Sequence, residues 1–231
     1  MLSREEVKSM LDQFESLRFC QDNMNGIEGL NEIIDCGERL IDTTTNTKFR
    51  DVPPYVASQL IVPYWERARY HSRREHYAQG KFQHAKDLDL AISDFDRLLN
   101  LLDISGDKKN NDFYFLAAYE SRCECYLENG NAEAAISDAN MYISAAMTSG
   151  KHNITKAYTL RAKCNLQIDK LDQAEKDITV ALENAPNPSN ERADALQLKE
   201  KIDKVKLPKK TLIILGLLMT LISLIPYETI L

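Results

Sequence analysis

The sequence predicts an all-α protein, an α-solenoid of about three stacked helix pairs with further helices at either end. Three observations lead there. The 231 residues include only eight glycines and seven prolines, about half of average usage, which disfavours a turn-rich β architecture and a disordered linker. Apolar residues recur at steps of three and four along much of the chain, the period of a helix with one buried face. Three segments after residue 87 also resemble one another, the mark of units that bury their apolar faces only by stacking.

The N-terminal segment, 1–52, reads as two helices and a loop. Ser3 is placed to cap the first helix, with Glu5 and Glu6 in its opening turn. Val7, Met10, Leu11, Phe14 and Leu17 then share one face. A second helix is expected over 27–41, with Leu30, Ile33, Ile34, Leu40 and Ile41 apolar. The run TTTNTKFRDVPP that follows is a loop by composition. A repeat region, 55–206, opens with a helical stretch over 55–79, expected to bend near Pro63, which cannot donate to the helix ladder.

Repetition then takes over. LDLAISDFDRLLNL from Leu88, AEAAISDANMYISA from Ala132 and LDQAEKDITVALENAP from Leu171 align. Ala91, Ala135 and Ala174 are each followed four residues on by Phe95, Ala139 or Ile178, and seven on by Leu98, Tyr142 or Ala181. Those offsets fall on one helix face, where small side chains admit a close neighbour. Two partner helices precede them. One carries Tyr119, Cys123, Tyr126 and Gly130, the other Tyr158, Ala162, Asn165 and Asp169 at the same offsets. Ala193, Leu196, Leu198 and Ile202 fit a C-terminal capping helix with a polar outer face.

This small–large pattern resembles the tetratricopeptide repeat (TPR) family over about residues 60–203, although the alanines stand 44 and 39 residues apart rather than about 34. The resemblance implies a curved solenoid whose inner groove docks a protein or peptide. Co-chaperones of that family grip the acidic tail of a chaperone with five Lys, Asn and Arg positions. Here those positions fall on Tyr70, Arg74, Ser121, Lys156 and Leu160, so one of the five is kept and the clamp is degenerate. Arg74, Ser121, Arg122, Lys156, Arg161 and Lys163 are the candidate groove residues. The basic run RARYHSRREH reads either as a strip for an acidic peptide or as a solvated face beside Glu66 and Glu75.

Other chemistry is not indicated. No nucleophile-elbow, zincin, P-loop or dinucleotide motif occurs, so no catalytic residue, cofactor or metal is expected. Cys20, Cys36, Cys123, Cys125 and Cys164 lack a CxxC pair and read as reduced thiols. His71, His76, His84 and His152 have no ligand spacing. The net charge of −6 argues against nucleic acid as a partner.

The tail, 207–231, has a different composition. Its run TLIILGLLMTLISLI holds no charge over 15 residues and reaches about 23 Å as a helix, slightly short of a bilayer core of about 30 Å. Lys204, Lys206, Lys209 and Lys210 flank it, which by the positive-inside rule keeps that side in the cytosol. The expectation is an adaptor tethered through 211–226 to a membrane, the endoplasmic reticulum before the mitochondrial outer membrane. The alternative is a cytoplasmic assembly subunit or co-chaperone whose tail packs on a partner or on the solenoid.

Overall fold

The computed structural model describes residues 3–19, 26–72, 87–106, 108–149 and 154–223, with backbone alone over 108–111, at 149 and over 208–223. The described residues form helices and no strand: α1 Arg4–Phe19, α2 Ile27–Thr44, α3 Val52–Ser72, α4 Leu88–Ser105, α5 Lys108–Glu128, α6 Ala132–Ser149, α7 Ile154–Gln167, α8 Leu171–Asn184 and α9 Asn190–Ser223. The chain divides into two compact units, Met1–Ser149 and Gly150–Leu231.

In the first unit each helix packs on the next, and α3 also touches α5. The local signals are those of the sequence. Ser3 and Glu6 form a reciprocal capping box: the Glu6 N–H donates to Ser3 Oγ at 3.2 Å, and the Ser3 N–H donates to Glu6 Oε2 at 2.7 Å. Helix α2 runs to Thr44, three residues beyond the expected end. Hydroxyls of Thr44 and Thr45 donate to the Leu40 and Ile41 carbonyls at 2.5 and 2.6 Å, the latter carbonyl also accepting the Thr45 N–H at 2.9 Å. Pro63 stands inside α3 and is buried, and the expected extension to 79 lies outside the described residues.

Phe14, Ile33, Leu40, Leu60, Phe95, Leu98 and Leu101 are wholly buried in one cluster that joins α1 to α4. Each such side chain contributes about 1.5–3 kcal/mol by leaving water. Gly37 is the tightest point. A Cβ there would lie 2.8 Å from Leu60 Cδ2 and 2.9 Å from Phe14 Cε2, so α2 meets α1 and α3 more closely than any other residue allows.

In the second unit α7, α8 and α9 all touch one another. The core is built from small residues, Ala162, Ala174, Ala181 and Ala195, with Ile178, Leu198 and Ile202. The capping stripe expected on Ala193 and Leu196 is corrected here. Both are exposed, and the buried stripe is Ala195, Leu198 and Ile202, one seam at steps of three and four. Leu198 and Ile202 stand as expected.

Gly37→Ala is expected to lower stability by about 1–2 kcal/mol: overpacking of about 1–3 kcal/mol outweighs up to about 1 kcal/mol of gained helix propensity. Thermal melts of Gly37→Ala and of Gly37→Ala with Leu60→Ala check this. The loss measured for Gly37→Ala should shrink in the Leu60→Ala background, where the new methyl has room.

Candidate interaction surface

The three helix pairs α3/α4, α5/α6 and α7/α8 share one arrangement of side chains. A tyrosine and an arginine three residues apart stand on the first helix: Tyr64 and Arg67, Tyr119 and Arg122, Tyr158 and Arg161. Each guanidinium lies over its own tyrosine ring, 5.1, 5.4 and 5.1 Å from the centroid. Each also grips an aspartate of the second helix through two parallel bonds. Arg67 donates to Asp94 at 2.9 and 2.7 Å, Arg122 to Asp138 at 2.8 and 2.6 Å, and Arg161 to Asp177 at 3.0 and 2.6 Å. These aspartates follow the repeated alanines by three residues and are buried. The residues after the arginines, Ala68, Cys123 and Ala162, are buried completely.

Two of the turns match as well. In α5/α6 the Asn131 N–H donates to the Tyr126 carbonyl at 2.8 Å and the Gly130 N–H to the Leu127 carbonyl at 3.2 Å. In α7/α8 the Lys170 N–H donates to Asn165 at 2.8 Å and Asp169 to Leu166 at 3.1 Å. This is the Schellman pattern, with Gly130 at φ 80° and Asp169 at φ 60° in the left-handed position. The first pair is longer: its arginine and aspartate are 27 residues apart rather than 16. Its open ends are joined by the Asp87 N–H donating to the His71 carbonyl at 2.9 Å.

Further bonds tie the clasps to their neighbours. Arg67 donates to Asn31 Oδ1 of α2 at 2.9 Å. Glu38 of α2 accepts from Tyr64 at 2.8 Å and from Arg97, and Arg122 also reaches Asp96 of α4. Burial opposes the charge on Arg122, but Asp138 and then Asp96 more than offset it, so the guanidinium is held firmly protonated. The phenols of Tyr64 and Tyr142 are pushed well above their ordinary value, first by burial and then by Glu38 and Glu120.

These clasps change the reading of the groove residues. Arg122 and Arg161, expected to face a ligand, meet aspartates within their own pairs, because a buried aspartate demands a bidentate partner. Arg67, read as part of a strip or solvated face, does the same. Ser121 is half-buried, while Lys156 and Lys163 are exposed. Leu160, one of the five clamp positions, is buried and presents nothing to a carboxylate. Arg74 lies outside the described residues, as do His76, His84, His152 and Cys20. Cys36, Cys123, Cys125 and Cys164 are buried and form no disulfide.

A surface that the sequence reading missed lies on α3 and α5. Phe113 is 60% exposed and meets the Trp65 ring edge-on at 6.4 Å, with Tyr114 on the same indole at 6.2 Å. Trp65 in turn leans on buried Phe95 at 5.8 Å, and Arg69 covers it at 5.7 Å. The available signal was the run Phe113, Tyr114, Phe115. Consecutive residues of a helix point about 100° apart, so three aromatics cannot all be buried by one neighbour.

Of the flanking lysines, Lys204 pairs with Glu200 at 2.6 Å, and Lys206 is held by Asp172 at 2.7 Å and by Glu175. The side chains of Lys209 and Lys210 lie outside the described residues, as does 224–231. Among the described residues no helix is long and apolar enough to cross a membrane, and no cluster of His, Cys, Asp or Glu could hold a metal ion. No protein-family model matches the chain, and no curated protein matches it either.

Two outcomes follow. Asp138→Ala should destabilise the first unit by about 2–4 kcal/mol, since it strands a half-buried guanidinium, whereas Arg122→Leu with Asp138→Leu should cost distinctly less. A double-mutant cycle in urea should return a coupling of about 1–3 kcal/mol. The raised Tyr64 and Tyr142 phenols contribute stability that is complete below the ordinary tyrosine value of about 10 and declines as pH rises through it, because the unfolded chain ionises first. Tyr64→Phe and Tyr142→Phe should therefore flatten the fall in melting temperature between pH 9 and 11.

Proposed function

We propose that this chain is a docking scaffold: a TPR-like solenoid of the pairs α3/α4, α5/α6 and α7/α8, preceded by α1 and α2 and followed by α9, with its tail tethered to the cytosolic face of a membrane. The observation that carries the docking role is the Trp65–Phe113 ledge. An exposed phenylalanine fixed on a half-buried indole is a pre-ordered apolar anchor, the kind of residue around which interface energy concentrates. The thrice-repeated clasp supports the solenoid reading, since stacked pairs need one internal geometry used again and again.

The tether reading is supported by sequence and backbone together. The uncharged run 211–225 follows a lysine cluster, and α9 continues through it as one helix to Ser223. A packed tail, the second reading, is favoured by the way the first half of α9 lies on α7 and α8.

A photo-crosslinking residue at position 113 in the intact cell should give discrete protein adducts, and the same residue at exposed Glu133 should give few. A fluorescent fusion should lose its membrane pattern when 207–231 are removed. Resistance to alkaline carbonate supports the tether, and release into the supernatant favours the packed tail.

A further inference from the structure

We propose that α9 acts as a stiff stalk that holds the second unit directly on the bilayer surface, with the α7–α8 turn at the level of the lipid headgroups. This rests on the tether reading and goes beyond it, because a tethered domain can equally swing on a loose linker. The contact nearest the tail is Lys206. Its ammonium is held by Asp172 at 2.7 Å and by Glu175, both on the first turns of α8. The turn that carries Asp169 and Lys170 precedes α8 directly, so turn and stalk are fixed side by side at the height of residue 206.

From Lys206 to the start of the uncharged run at 211 is five residues, about 8 Å along a helix. That is comparable to the depth of a headgroup layer, of which bilayers carry about 5–8 Å on each side beyond the hydrocarbon. The helix is continuous through Pro208, although that proline leaves one rung of the ladder unmade. Farther back, Ile202, Leu198 and Ala195 are buried against α7 and α8, which removes any hinge between the stalk and the body. No stretch of glycine or serine intervenes.

The lysines nearest the uncharged run suit an anionic lipid surface. Asp172 is 81% exposed at its side chain and would repel lipid phosphates on its own, but Lys206 lies against it and against Glu175. Lys204 is already paired with Glu200, and exposed Lys170 stands beside exposed Asp169, so the attraction comes from the lysines at 209 and 210, each worth about 1 kcal/mol near a negatively charged leaflet.

The test uses the full chain in a Cys20→Ser background, reconstituted into vesicles of phosphatidylcholine and phosphatidylserine carrying a headgroup-linked acceptor dye. A donor is attached at Lys170→Cys or, as the distant reference, at Asn184→Cys, which stands at the far end of α8, about 20 Å away. The expected result is at least twofold stronger energy transfer from position 170 than from 184, with the difference lost when a flexible glycine–serine segment is inserted after Leu207. Equal transfer from both positions in vesicles that carry the protein on flotation overturns the stalk and leaves the tether standing. Failure to float with the vesicles overturns the tether reading and the stalk with it.

Discussion

Each of the pairs α3/α4, α5/α6 and α7/α8 is held in register by a bidentate ion pair to a buried aspartate. The arginine is fixed twice, by the ring of a tyrosine one turn earlier and by an aspartate across the pair. Because both partners are rigid forks, sliding either helix by one residue breaks two hydrogen bonds and leaves charge in a dry place. Apolar burial supplies most of the stabilisation, but it is indifferent to small shifts. The clasp is what makes one alignment distinct. It matters most in the second unit, where the core is largely alanine and offers little area with which to specify a register.

The same arrangement explains which parts of the chain were readable. Ala91, Ala135 and Ala174 with their followers were legible because a seam of small residues at helical spacing has few other meanings, and all of them are buried. The capping box at Ser3 was readable for the same local reason. Ala193 and Leu196 were misplaced because α9 offers apolar residues at 193, 195, 196, 198 and 202, and two stripes can be drawn through them. Only the neighbours α7 and α8 decide between those stripes. The arginine–aspartate clasps were not legible because a charged residue on an amphipathic helix does not announce a buried partner that stands 16 or 27 residues away. Comparing the three segments at the arginine and aspartate positions, rather than at the alanines alone, would have revealed them. The ledge at Phe113 was missed because exposure depends on what fails to pack there, which periodicity does not report.

A functional consequence follows from where the charges went. The cations that would ordinarily recognise an acidic partner are consumed in holding the pairs together, most plainly Arg67, Arg122 and Arg161. What the first unit turns outward at α3 and α5 is aromatic instead. Recognition there is proposed to rest on an apolar anchor, with charge contributing at the rim.

The first pair shows that the clasp is a spatial device rather than a sequential one. Its arginine and aspartate meet as closely as in the other pairs although eleven more residues separate them, and a backbone bond joins His71 to Asp87. A unit built this way can change the length of its connection without changing its fold. The register of the pair is therefore set by where the arginine and the aspartate meet in space, whatever the number of residues between them.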